Sequence, residues 1–507
     1  MDSDLLEEVI TPTETDSRLV VIFKTASVVK VNSRGLEPAT EDVAPLQAVL
    51  DRHHASLTLL FGQDENRLRR DQAEVLRNSV EDGGPSDAAE GVSNEDPSAS
   101  SEGGIMPDLS SFYYVDGPVA NLESLAAELN QHDLVDAAYI TPPTSQPLLF
   151  QSLTSPEAMD APAITPNFSA RQIYLGPAPG GVDAKFAHTI PGGRGQGMRI
   201  ADVERGWQFT HEDLRVLQGG VISGTNSPDN DHGTAVCGVV SGDVNNIGIL
   251  GIAPDAVFYG SSYVGNSVAA AIKAAADRLR SGDVILLEVH RPGPNTPNPP
   301  SGQKGYIAVE WWPEDFAAIR YAVNKGIVVV EAAGNGAENL DAAIYNTRPA
   351  GFPITWRNPF NAANPSSGAI IVGAGCPPPG VHGRNHGPDR SRLSFSNYGS
   401  RVDCQGWGRE VTSTGYGDLQ GGQSRDLWYT DVFNGTSSAS PIATGVVLCV
   451  QGIRKSKGKL PLTSSRYRTL LRQTGSPQQA GPGAPVSQRI GNRPDLRKLI
   501  PAALNIP

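Results

Sequence analysis

Residues 327–333 read IVVVEAA and run straight into Gly334-Asn335-Gly336. A short, almost fully apolar run closed by glycine is what a strand buried on both faces looks like. Working outward, the same pattern recurs at 283–289 (DVILLEV), 369–374 (AIIVGA) and 198–203 (MRIADV). Helical stretches lie between these runs, at 267–280 (SVAAAIKAAADRLR, closed by Ser281-Gly282) and at 314–325. Buried strands alternating with helices predict an α/β fold with a parallel sheet covered on both faces. In such a sheet the reactive groups gather at the carboxyl ends of the strands.

Four clusters fall at those ends or at helix starts. Asp202 closes the strand MRIAD. Asp231-His232-Gly233-Thr234 opens the helical run AVCGVVSG. Asn335 follows the strand IVVVEAA. Asn434-Gly435-Thr436-Ser437-Ser438-Ala439-Ser440-Pro441 opens the run IATGVVLCV. Singly, each is a common capping residue. Together they supply the parts of acyl transfer. A serine hydroxyl needs a base within hydrogen-bond reach, and histidine titrates near neutrality. The base needs a carboxylate to hold its tautomer, and the tetrahedral intermediate needs pre-aimed donors such as a side-chain amide. The small residues Gly435 and Ala439 leave room for substrate.

The chain has 507 residues and a net charge of −13, which argues against a nucleic-acid partner, because phosphate binding needs a basic footprint. No run of about 18 apolar residues stands out, so no membrane span is expected. The start, MDSDLLEEVITPTETDS, lacks the basic and apolar runs of a secretory signal. At face value that places the chain in the cytoplasm, with export by another route or a misassigned start as the extracellular alternative. Of the four cysteines, Cys237 and Cys449 sit in apolar helical contexts and read as buried thiols. A Cys376–Cys404 disulfide is sterically open, but the missing signal counts against it. Ahead of this α/β region, the order strand (18–24), helix (42–52), strand (56–61), strand (110–116), helix (121–131), strand (135–140) is that of a small ferredoxin-like α+β domain, spanning 1–140. It is interrupted over 81–109 by an acidic insert, rich in Gly, Ser and Pro from 81 to 104, that cannot bury a core. Residues 141–167, rich in Pro and Thr, read as a linker, and 168–507 as the second domain.

The segments IADVERGWQFTHEDL, DHGTAVCGVVSG, NNIGILGIAP, VVVEAAGNG and NGTSSASPIATG, in this order over about residues 165–500, resemble the subtilases, the subtilisin-like serine proteases. The resemblance implies a subtilisin-like three-layer α/β sandwich with a mainly parallel sheet, and a serine endopeptidase acting on polypeptides. It implies a triad of Asp202, His232 and Ser437, with Asn335 as oxyanion donor and no required cofactor. Two departures stand out. Asp202 is followed by Val203-Glu204, where the family has a small hydroxyl residue and then glycine. The pocket segment reads Leu287-Glu288-Val289-His290 in place of Ser-Leu-Gly-Gly. Leu287, Glu288, Val289 and Gly334 are therefore the expected substrate-binding residues. Glu288 either favours a basic residue before the cut or forms a structural ion pair. Subtilases usually bind calcium, and Asp213 and Asn246 are the candidate ligands. Yet the loop at 244–248 is one residue shorter than usual, and calcium needs at least about six oxygens, which favours a metal-free loop. The N-terminal domain resembles the inhibitor-type propeptides of the family, which implies an intramolecular inhibitor removed by a cut within 141–170. The rival reading is a non-catalytic peptide-binding protein on the same scaffold. An esterase is disfavoured, because no G-x-S-x-G elbow surrounds Ser437. The sequence leaves oligomeric state open.

Overall fold

The computed structural model describes residues 17–24, 29–32, 35–38, 42–62, 64–81, 106–118, 121–147 and 161–507. Most of the acidic insert and the stretch 148–160 lie outside these residues.

The N-terminal unit contains β1 (Arg18–Phe23), α1 (Ala44–Arg52), β2 (Ser56–Leu59), α2 (Glu65–Glu81), β3 (Phe112–Asp116), α3 (Leu122–Leu129) and β4 (Val135–Thr141). Its antiparallel sheet has the order β2-β3-β1-β4. Alternate residues of β1 divide between two cores. Leu19, Val21 and Phe23 pack with Leu46, Leu50, Leu125 and Leu129 of α1 and α3. Val20 and Ile22 face the other way, toward the larger domain. The helix α2 has no counterpart in the sequence reading, because ENRLRRDQAEVLRNSVE is mostly charged. Among its described side chains the buried ones are Glu65, Leu68, Gln72 and Val75, and Gln72 bonds the Pro107 carbonyl and the Leu109 N–H.

The larger domain is built on β5 (Arg199–Glu204), β6 (Gln218–Ser223), β7 (Val257–Ser262), β8 (Val284–Leu287), β9 (His290–Pro292), β10 (Tyr306–Ala308), β11 (Val328–Ala332), β12 (Ile370–Gly375) and β13 (Cys404–Trp407). Seven of these form one parallel sheet in the order β13-β12-β11-β8-β5-β7-β6. The apolar runs are long because both faces are covered. Ile200, Leu286, Val284, Val330 and Val372 pack on the side of α4 (Asp231–Ser241) and α7 (Thr436–Ser456). Ala201, Val203, Ile285, Leu287, Val329 and Ile371 pack on the side of α5 (Val268–Arg278) and α6 (Pro313–Asn324). Helix α7 is long and apolar enough to cross a membrane by composition alone, but its apolar stretch is buried as the central helix of the domain. All four cysteines are buried free thiols, so the Cys376–Cys404 disulfide does not form.

The two units share one apolar cluster, in which Phe112, Tyr114 and Tyr139 join Trp311, Trp312 and Phe352. The rings of Tyr139 and Phe352 are 4.6 Å apart. At the start of α6, the buried Glu314 carboxylate accepts from Tyr139 Oη at 2.6 Å and Thr141 Oγ1 at 2.7 Å.

Candidate active site

Strand β5 ends in Asp202-Val203-Glu204, and a strand alternates its side chains. Asp202 and Glu204 therefore share the face toward α4 and α7, while Val203 points into the opposite core. His232 stands in the first turn of α4, and its Nδ1 is hydrogen-bonded to Glu204 Oε2. Asp202 does not reach it. Asp202 lies roughly 7 Å deeper along the strand, fully buried, and accepts from Trp207 Nε1 at 2.8 Å. Burial, and then the charge of Glu204, push its carboxyl well above the ordinary carboxylate range. The expected pairing of Asp202 with His232 is thus corrected: the carboxylate on the imidazole is Glu204. The signal was present in Glu204-Arg205-Gly206, which keeps the acid-x-glycine spacing that Asp202-Val203-Glu204 lacks. Glycine is needed there, since a Cβ on Gly206 would lie 2.5 Å from the Ser227 carbonyl oxygen.

Ser437 is the second residue of α7, where the helix dipole favours negative charge. Gly435 precedes the helix at φ +88°, a conformation that only glycine adopts easily. Asn335 is fixed through its Oδ1, which accepts from Thr436 N at 2.9 Å and Thr436 Oγ1 at 3.0 Å. Its Nδ2 donates to Gln303 Oε1 at 3.0 Å. Gln303 belongs to the proline-rich insertion and was not anticipated as part of the site.

The pocket segment differs from expectation. Leu287 and Val289 are core residues. Glu288 pairs with no cation among the described residues. Its Oε1 accepts from Ser440 Oγ at 2.5 Å, and it is fully buried. Burial, then the nearby Asp202, push it well above the usual range; hydroxyls of Ser440 and Ser437 oppose this without reversing it. The N–H of Gly334 donates to Thr436 Oγ1 at 3.3 Å. The residue that lines the cleft here is His290.

The cleft is filled by the protein's own chain. Residues beyond β4, read as the start of a linker, run along it. Ser145 pairs antiparallel with His290, with N–H···O bonds of 3.1 and 3.0 Å. Gln146 Nε2 donates to Glu204 Oε1 at 2.7 Å, and the Gln146 carbonyl accepts from Gln303 Nε2 at 2.6 Å. Ser437 Oγ donates to the Pro147 carbonyl at 3.1 Å. His232 Nε2 has no hydrogen-bond partner among the described residues.

The two candidate calcium ligands fare differently. Asp213 is buried, and both its oxygens are engaged by N–H donors: Oδ1 by Asn245 Nδ2 at 2.7 Å and Oδ2 by Ile249 N at 2.6 Å. Burial pushes its carboxyl up to about 8. Asn246 is exposed and makes no contact with it among the described hydrogen bonds. A protonated, N–H-saturated carboxyl does not fit a hard cation that needs at least about six oxygens.

A family model described as the subtilase family matches residues 222–492, just over half of the chain. It begins after Asp202 and Glu204. The chain is 28% identical over 295 residues to alkaline elastase YaB of Bacillus sp. (strain YaB), covering 57% of this chain and 63% of that protein. It is 28% identical to M-protease of Shouchella clausii (strain KSM-K16), covering 53% of this chain and 58% of that protein. It is also 28% identical to subtilisin BL of Lederbergia lenta, covering 53% and 81% respectively. It thus spans less than two thirds of the first two relatives. Among solved structures, fervidolysin from Fervidobacterium pennivorans, a keratinolytic enzyme related to subtilisin, superposes with a TM-score of 0.52 at 16% identity, over 98% of this chain and 62% of that one. That likeness is one of fold.

Proposed function

From the premise that this chain belongs to the subtilase family, we propose that it is a serine endopeptidase with a Ser437–His232–Glu204 triad, made as a zymogen whose N-terminal unit blocks its own cleft. The observation that carries the reading is the bond from His232 Nδ1 to Glu204 beside a serine at a helix N-terminus. Ser437 attacks the carbonyl carbon while His232 Nε2 takes its proton and later delivers it to the leaving amine. Glu204 fixes the imidazole tautomer with Nδ1 protonated and stabilises the cation that forms. Asn335 Nδ2, released from Gln303, and the Ser437 N–H hold the oxyanion. Asp202 and Glu288, whose burial disfavours their charged forms, support the site through their bonds to Trp207 and Ser440. The N-terminal unit acts as the intramolecular inhibitor, and Gln146 occupies the catalytic carboxylate as well as the cleft. The site works without calcium at Asp213.

Single-residue kinetics test the triad. Glu204→Gln should lower kcat by about 10³–10⁴-fold, the scale seen when a triad carboxylate becomes an amide. Asp202→Asn keeps an acceptor for Trp207 and should cost less than about tenfold. The reverse ranking would return the role to Asp202. Labelling by a fluorophosphonate, present in the wild type and absent in Ser437→Ala, separates a protease from a pure peptide-binding protein.

A further inference from the structure

Pro147 is the residue whose carbonyl Ser437 contacts, so it stands where the residue before a cut bond stands. Three features around it concern the size and shape of what the enzyme accepts there. A hypothetical Cβ on Gly435 would lie 2.1 Å from the Pro147 oxygen and 3.1 Å from Asn335 Nδ2, which puts that oxygen, the nucleophile and the amide donor around one point. Residues 145 and 147 lie on the same side of an extended strand. The side chain of Ser145 meets the His290 imidazole, Oγ to Nε2 at 2.9 Å, so the imidazole lies beneath that side. The same ring spans to the neighbouring strand end, where Nδ1 accepts the Asn335 N–H at 3.3 Å, and it packs 4.9 Å from the Tyr306 ring.

His290 is fully buried, and its two ring nitrogens have opposite duties: Nδ1 accepts and Nε2 donates. That requires a neutral ring, and burial, with the neighbouring His232, pushes it down to about 3. The floor between the continuations of β8 and β11 is therefore occupied by a fixed imidazole. A long side chain before the cut would have to displace it. A proline ring does not, and Pro147 is itself buried. Proline also lacks the N–H that an ordinary residue two along from Ser145 would offer to the strand edge, which agrees with the pairing stopping at Ser145.

Resting on the protease reading above, we infer that this enzyme cuts after proline, that its first cut is its own Pro147–Leu148 bond, and that His290 sets this preference by filling the pocket. In that cut Ser437 Oγ bonds to the Pro147 carbonyl carbon as its proton passes to His232. The bond to the Leu148 nitrogen breaks and that nitrogen takes the proton. Water then hydrolyses the ester, giving a Pro147 carboxylic acid and regenerating the serine.

The test uses full-length protein. N-terminal sequencing and intact mass of the matured wild type should give Leu148 as the new first residue, with Ser437→Ala uncut. A panel of peptide p-nitroanilides differing only before the scissile bond should show proline exceeding phenylalanine in kcat/KM by about tenfold or more, the scale on which pocket volume discriminates. His290→Gly should raise phenylalanine turnover by at least about tenfold relative to proline. Because that variant could misfold, the wild-type panel stands on its own. A fluorophosphonate-reactive wild type that prefers phenylalanine, or that matures elsewhere within 148–170, overturns this inference and leaves the protease reading standing. A wild type that neither labels nor hydrolyses any member of the panel overturns both.

Discussion

Glu204 and Asp202 differ by two positions on one strand, and the site depends on which of them meets His232. Both were visible as acids at a strand end. The sequence pointed to the aspartate because the family pattern is usually written with one, and because strand alternation puts both on the same face. What separated them was depth, which a period of two does not convey. The buried carboxyls give a pH prediction. Glu288 in the folded protein holds its proton far more tightly than in the unfolded chain. Unfolding therefore releases a proton at pH values above the ordinary carboxylate range, so this group makes stability fall as pH rises through that window. Glu288→Gln removes the dependence. Urea midpoints of Ser437→Ala with and without Glu288→Gln should diverge as pH is raised from about 5 to 9, the double variant holding its stability better.

At the scale of elements, the parallel strands were legible because burial on both faces writes an unbroken apolar run, as in β8 and β11. The helices α4 and α7, which carry His232 and Ser437, were legible from short capping clusters before apolar sequence. Helix α2 was not, since a helix that buries one thin stripe carries almost no apolar period. The cleft-bound segment 141–147 read as linker because Pro and Thr favour extended backbone whether or not it is docked. The joint between β4 and α6 is where an element-scale change is measurable. Tyr139→Phe takes one of two side-chain donors from the buried Glu314 carboxylate. Leaving a buried acceptor short costs about 1–3 kcal/mol, and chemical denaturation of Ser437→Ala against the Tyr139→Phe double variant should show a loss of that size.

For the whole molecule, the three apolar clusters define what would separate in the proposed maturation. One lies within the N-terminal unit, one under α4 and α7, and the third is shared between the two units. The shared cluster contains Trp311, Trp312 and Phe352, with Trp356 packed 5.2 Å from Trp311. While Tyr139 and Phe112 cover that cluster it is dark to solvent; Trp312 is only 8% exposed. Cutting a peptide bond at the cleft does not by itself uncover it, because the N-terminal unit can stay docked after cleavage. The aromatic cluster is therefore an optical clock for the second event. Tryptophan emission should shift to the red only as the cleaved unit leaves, trailing the mass change that marks cleavage. The lag between the two signals measures how long the severed unit goes on guarding the cleft it was cut from.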